Sequence, residues 1–344
     1  MIDPATTRRV LVTGGAGFIG SHLTDLLLAR GDAVTVVDNL STGRRENLPD
    51  AHPGLSFIKA DLGEALAAFE RSEHFDEIYH LAAAVGVSLV IREPIRSIET
   101  NIEQTSALLR FAARQSSSSG LAPARFPRTL LASSSEVYGK SPKSPFREDD
   151  DSLFGPTTVT RWSYACSKAI DEHLGLAYHA QSGLPVTVAR FFNTVGPRQV
   201  GDYGMVLPRF VEAALHGRPL GVYGDGRQSR CFCDVRDVAA ILPRMLATPA
   251  CVGRVFNVGA DVAITIADLA ELVVTTLNSS SKIRFIPHEA IYGSGFEDLA
   301  QRRPDLTRIR EVTGFNPGIE MRRTIMDLAE SLRGIPSAVG PSSI

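Results

Sequence analysis

Hydrophobic positions along the first half of the chain fall into short runs: RRVLVTGG, AVTVVDN, LSFIKADL, EIYHLAAA, TLLASSSEVYG and PVTVARFFNTVGPR. Between them, apolar residues recur at helical spacing, over Gly17 to Ala29 and around Ser97 to Arg114. Near-continuous apolar strands alternating with amphipathic helices define a sheet covered on both faces. The pattern predicts an α/β fold, a doubly wound parallel sheet of the Rossmann type. RCFCDVRDVAAILPRML and RVFNVGA read as further returns to the same sheet. The segments 197–228 and 261–335 are richer in Pro, Gly and Arg and predict a smaller, interleaved lobe with a cleft against the sheet. The first domain then comprises 1–196 plus about 229–260. QSSSSGLAPARFPR, residues 115–128, reads as a loop, and 336–344 as a disordered tail.

Composition narrows the class without changing that picture. The 344 residues are 44% hydrophobic and 22% charged, ordinary for a folded globular protein, and the net charge of -2 offers no general attraction to nucleic acid or anionic lipid. No apolar run reaches the roughly 18 residues that span a bilayer, and glycines interrupt the first hydrophobic stretch, so a cytoplasmic location is expected. The four cysteines, Cys166, Cys231, Cys233 and Cys251, lack the spacing of a disulfide scaffold or a zinc site and read as small buried hydrophobes. His80 and His173 have no metal-ligand spacing and read as structural, so no metal is expected.

TGGAGFIG places Gly14, Gly17 and Gly20 between a strand and a helix. Such glycines permit the tight turn, let backbone approach a pyrophosphate, and pack helix on sheet, with the phosphates at the helix N-terminus. Asp38 follows about 20 residues later at the tip of the next strand, where a carboxylate binds ribose hydroxyls and repels a 2′-phosphate. The cofactor predicted is NAD. Phe18, Ile19, Asn39, Leu62, Leu81, Ala82 and Ala83 border these positions and complete the expected cofactor wall. Asp61 in IKADL is either an adenine contact or a helix N-cap.

RWSYACSKAID places Tyr164 and Lys168 four apart on one helix face. A phenol is a weak base at neutral pH, and a neighbouring ammonium together with the nicotinamide charge favours its phenolate. Tyr164 and Lys168 thus read as a catalytic pair as well as cofactor contacts.

TGGAGFIG, VDN, HLAA, SSSEVYG, YACSK, RFFNTVGPR, YGDGRQSRCF and RRPD together resemble the extended short-chain dehydrogenase/reductase family of nucleotide-sugar enzymes, over nearly the whole chain. The resemblance implies bound NAD, a catalytic set on Ser134, Tyr164 and Lys168, a nucleoside diphosphate sugar (UDP-sugar) as substrate, and a homodimer with the Tyr164 helix near its interface. Ser134-Ser135-Glu136 is similar to the Thr-Ser-Glu of UDP-glucuronate decarboxylases, whereas 4,6-dehydratases carry Asp-Glu and 4-epimerases small residues. RWSYACSK, GRQSRCFCDVRD and YGSGFEDLAQRRPDLTRI likewise resemble those decarboxylases and the UDP-apiose/xylose synthases, and Arg302 matches an arginine near the reacting carbon. HLAAAVGVSL departs from some of these relatives in lacking Thr-Pro.

What the resemblance implies is C4 oxidation followed by decarboxylation of UDP-glucuronate to a UDP-pentose, with Glu136 and Arg302 moving protons at C5. The alternatives are a UDP-hexose or UDP-uronate 4-epimerase, a 4,6-dehydratase, or a non-catalytic NAD-binding regulator. Arg302 could instead clamp the diphosphate, a role suited to a bidentate guanidinium. Ser135, Asn193, Arg198, Arg209, Tyr223 and Arg230 are the further candidate substrate contacts.

Overall fold

The computed structural model describes residues 7–69, 73–83, 92–115, 126–201, 205–287 and 301–333. Most of the 115–128 loop, the tail, and the YGSGFEDLA stretch of the second motif lie outside these residues.

The central sheet is built from β1 (Arg9–Thr13), β2 (Ala33–Val37), β3 (Leu55–Ile58), β4 (Glu77–His80), β5 (Arg128–Ser134), β6 (Val186–Phe191) and β11 (Arg254–Val258). All seven strands are parallel, in the order β11-β6-β5-β4-β1-β2-β3. The strand order reverses between β1 and β4, the crevice where doubly wound sheets bind ligands. Alternation along β1 sends Val10 and Val12 into one core and Leu11 into the other. Helices α1 (Phe18–Ala29) and α6 (Val235–Ala247) cover the first face. On the second lie α2 (Leu62–Phe69), α3 (Pro94–Arg114) and α4 (Trp162–Ser182).

A separate apolar cluster joins α5 (Val206–Leu215), β8 (Leu220–Tyr223), α7 (Ile266–Thr276) and α9 (Met321–Arg333). It forms within the Pro-, Gly- and Arg-rich segments. Thr265 caps α7 by accepting from the Asp268 N–H at 3.0 Å. The short helix α8 (Thr307–Thr313) ends at Gly314, whose φ of 68° makes the left-handed C-terminal turn.

RVFNV joins the main sheet as β11, but RCFCD does not, which corrects the expectation of a further return. Its residues form β9 (Ser229–Cys231) and β10 (Cys233–Asp234), each in a small separate sheet: β9 lies between β12 (Ala263–Thr265) and β14 (Gln301–Arg302), and β10 pairs with β7 (Thr194–Val195). The run is broken at Phe232, so its two halves pair with different partners, and Asp234 ends it by capping α6, accepting from the Arg236 N–H at 2.8 Å. The strand β13 (Ile283–Ile286) pairs with β8. Cys231, Cys233 and Cys251 are buried with thiols pushed up by burial, which suits packing and not nucleophilic chemistry.

The turn after β1 is tightly constrained. A Cβ on Gly20 would stand 2.1 Å from the Gly14 carbonyl oxygen and 2.8 Å from the Gly15 Cα. Gly20→Ala is therefore expected to cost about 1–3 kcal/mol by overpacking and to weaken NAD binding, both read in a thermal-shift titration with the cofactor. An unchanged affinity would show that the turn tolerates a side chain.

Candidate active site

The glycine turn, the tips of β2, β4 and β5, one side of α3 as far as Arg110 and the start of α4 enclose a cavity of about 1420 Å³. Its wall includes Gly14, Gly17, Phe18, Ile19, Gly20, Asp38, Asn39, Asp61, Leu62, Leu81, Ala82, Ala83, Tyr164 and Lys168, the whole expected cofactor set. Gly14 has φ 71°, and a Cβ there would lie 2.7 Å from the Ala82 nitrogen, so only glycine lets β1 turn this close to β4. At the other end Asp38 is buried, its Oδ2 accepting from the Ala16 N–H at 3.0 Å and its Oδ1 from the Leu40 N–H at 2.8 Å. Burial pushes its carboxyl up, against the N–H groups of Leu40, Ala16 and Gly17. Asn39 donates to Asp61 Oδ1 at 2.7 Å, tying the tips of β2 and β3 together. Asp61 therefore sits both on the cavity wall and just before α2, with its side chain turned to Asn39. A bare glycine cradle at a helix N-terminus and a fixed acid at the next strand tip fit a dinucleotide without a 2′-phosphate.

The reacting end lies where β5 runs into a tight 3-10 turn over Ser135–Tyr138. Ser134 Oγ accepts from the Glu136 N–H at 3.2 Å, and the Ser134 hydroxyl stands by Tyr164 and favours its phenolate. Tyr164 is raised above its ordinary pKa by burial and by the Glu136 and Asp171 charges, with Ser134 opposing. Without cofactor, Tyr164 is thus a phenol. Lys168 lies on the same cavity wall as expected, but its ammonium is hydrogen-bonded at 3.0 Å to Asp171, a residue the sequence reading passed over.

Glu136 is the electrostatic centre of the turn. It is ion-paired with Arg302 and stands 3.9 Å from Arg161. Burial would raise its carboxyl, but Arg302, Arg161 and Arg230 outweigh it and hold the group below the usual carboxylate range. Arg302 reaches Glu136 because β14 pairs with β9 in a register that sets Arg302 opposite Arg230. Phe146 clamps the same segment, its N–H donating to the Arg303 carbonyl at 2.8 Å and its carbonyl accepting from the Asp305 N–H at 2.8 Å. This contact sets Arg302 beside Glu136. Its Nε is buried and makes no hydrogen bond among the described residues.

The other candidates divide. Ser135 is buried in the turn, and Asn193 donates to the Cys231 carbonyl at 3.3 Å. Arg209 hydrogen-bonds Tyr223 and lies over its ring, 4.6 Å from the centroid. Arg198 stands on the cofactor cavity wall, paired with Asp25 at 2.8 Å. Arg161 is the functional residue the sequence reading missed. Its signal was its place one helical turn before Tyr164, on the same face.

A seven-stranded Rossmann sheet carrying a Ser/Tyr/Lys set beside a dinucleotide cavity defines the class: an NAD-dependent enzyme acting on nucleotide sugars. The model of the NAD dependent epimerase/dehydratase family matches residues 10–259, and the chain belongs to that family. It is 39% identical over 330 residues to the UDP-N-acetyl-alpha-D-glucosaminuronate decarboxylase of Bacillus cytotoxicus, covering 95% of this chain and 98% of the relative. It is 37% identical over 327 residues to UDP-glucuronic acid decarboxylase 2 of Arabidopsis thaliana, covering 94% of this chain and 68% of the relative. Among solved structures, the UDP-glucose 4-epimerase of Thermus thermophilus in complex with NAD superposes with TM-score 0.79 at 30% identity, over 96% of this chain and 100% of that one. Among the described residues, no helix is long and apolar enough to cross a membrane.

Proposed function

We propose that the enzyme oxidises UDP-glucuronate at C4 and decarboxylates it to a UDP-pentose. The observation that carries this reading is the charge at the turn: one carboxylate, Glu136, faces three guanidiniums, Arg302 and Arg230 buried and Arg161 partly so. That excess of positive charge suits a substrate bringing a carboxylate as well as a diphosphate. Epimerising a neutral hexose asks for neither the excess nor Glu136.

Bound NAD supplies the acceptor, and later the donor, of the C4 hydride. Tyr164, aligned by Ser134, removes the C4 hydroxyl proton, and the resulting ketone is β to the carboxylate carbon. The C5–C6 bond then breaks, carbon dioxide leaves, and its electron pair passes into an enolate whose oxygen lies against Tyr164 and Ser134. C5 takes its proton from solvent through Glu136, which Arg302 holds in place, after which Tyr164 returns its proton as C4 is reduced. In this reading the sugar nucleotide lies between the strand ends and the lobe formed by 197–228 and 261–335, with Arg209, Tyr223, Arg230 and Asn193 along its path. A cytoplasmic homodimer completes the proposal.

The bacterial relative's name favours one second substrate, UDP-N-acetylglucosaminuronate, which differs only at C2 and would follow the same steps. The test is to incubate the enzyme with both uronates, UDP-glucose and UDP-galactose and to follow products by NMR. Carbon dioxide with a UDP-pentose or its 4-ketone supports the proposal; only UDP-galacturonate, or interconversion of the hexoses, would sink it.

A further inference from the structure

Beneath Lys168 a chain of buried polar groups crosses the molecule. The Ala82 N–H donates to Thr13 Oγ1 at 3.3 Å, and that hydroxyl meets His80 Nδ1 at 2.8 Å. His80 Nε2 lies 3.1 Å from Thr105 Oγ1, and the Thr105 hydroxyl stands by the Asp171 carboxylate and favours its ionised form. Asp171 Oδ2 then accepts from Lys168 Nζ at 3.0 Å, with both side chains at most 4% exposed. One proton order suits the chain: Thr13 donates to Nδ1, His80 carries its proton on Nε2 toward Thr105, and Thr105 turns its hydroxyl to Asp171, whose buried Oδ1 makes no hydrogen bond among the described residues. That order requires a neutral imidazole. Burial and the Lys168 charge hold His80 neutral, pushing it down to about 3.

The groups facing Tyr164 come from every element around it. The turn after β5 supplies Ser134 and Glu136, with Arg302 and Arg230 behind, and α4 supplies Arg161, Lys168 and Asp171. From β4 comes neutral His80, while Arg190 of β6 is closed in a pair with Glu172 at 2.7 Å. Among these, Asp171 is the carboxylate bonded directly to the catalytic ammonium.

We propose that Asp171 is a positioning residue, the built-in counter-ion of Lys168, which holds the ammonium in place and cancels much of its charge at the cofactor's nicotinamide end. A bare lysine would repel the pyridinium of NAD⁺ while leaving NADH unaffected, which makes the bound cofactor easier to reduce and harder to reoxidise. With the charge cancelled, the hydride taken from C4 returns readily. This function deepens the proposed decarboxylation and rests on it, but the charge balance itself is measurable without substrate.

The experiment compares Asp171→Asn with the wild type in separate fluorescence titrations with NAD⁺ and NADH. The variant is expected to weaken NAD⁺ relative to NADH by at least about fivefold, the scale of one partly screened buried charge. An unchanged ratio, including equal loss of both affinities, overturns the proposal. Thr105→Val, which leaves both charges in place and removes the hydroxyl between His80 and Asp171, is expected to shift the ratio in the same direction by less. It serves as the test if Asp171→Asn does not fold, and no shift there overturns the proposal. With UDP-glucuronate, the acid limb of the pH–rate profile should move about one unit lower in Asp171→Asn, because an unmasked ammonium favours the Tyr164 phenolate. If the wild type turns over no uronate, the decarboxylase reading fails while the affinity ratio still decides the role of Asp171.

Discussion

Glu136→Gln is expected to lower carbon dioxide release from UDP-glucuronate by about 10²–10⁴-fold, the usual worth of a positioned proton-transfer group. Glutamine keeps the size of the side chain and can still accept from Arg302, so the turn should hold. What disappears is the charge that Arg302, Arg161 and Arg230 balance, and with it the group that carries a proton to C5. In the proposed sequence the first half-reaction uses Ser134, Tyr164 and Lys168, so a single turnover should still produce NADH absorbance while UDP-pentose formation stalls. Wild-type carbon dioxide release from the variant would remove Glu136 from the mechanism. The pH behaviour has a definite sign. Since the arginines depress the folded-state carboxyl, its ion pairs contribute stability above the usual carboxylate pKa and lose it as pH falls through the lowered value. Glu136 is therefore ionised throughout the neutral range, and the working acid limb belongs to Tyr164.

Glu77→Gln is expected to destabilise the fold by about 3–5 kcal/mol, the cost of breaking a buried ion cluster by removing one partner. Glu77 opens β4 with its side chain fully buried. It accepts from Arg30 at 2.7 Å, from Arg128 at 2.6 Å and from the Tyr79 hydroxyl at 2.9 Å, with Arg8 3.7 Å away. Three cations from the start of β1, the end of α1 and the start of β5 thus converge on Glu77, and Arg30 is held also by Asp32 at 2.6 Å, at the end of the sheet opposite the active site. Amidation leaves Arg8 and Arg128 facing a neutral group and Arg30 with Asp32 alone. Urea denaturation reads the loss as a lower midpoint, and a change under about 1 kcal/mol would mean the arginines find water instead. Folded variant should keep its activity, because the site draws nothing from this end.

Both results bear on what the amino-acid order discloses. Gly14, Gly20 and Asp38 are legible because their chemistry depends on backbone a few residues away, within one strand-turn-helix unit. Tyr164 and Lys168 are legible for the same reason, being neighbours on one helix. The Glu77 cluster is not, since it joins four segments whose meeting depends on the strand order. Asp171 is an intermediate case. Its spacing from Lys168 is plain in KAID, but an exposed pair at that spacing means little, and only burial makes this one consequential. RCFCD was misplaced because a short apolar run shows that a strand forms without showing which partner it takes. The Glu136–Arg302 contact spans 166 positions, and no local pattern announces it.

That contact has a mechanical meaning too. Arg302 and Arg230 stand side by side in register on adjacent strands, two like charges that repel unless an anion lies between or beside them. Glu136, anchored on the main sheet, is that anion, so it acts as a clasp between the sheet and the small strands of the lobe. Acid strong enough to protonate it would unfasten the seam and free Arg302 from its partner in a single titration.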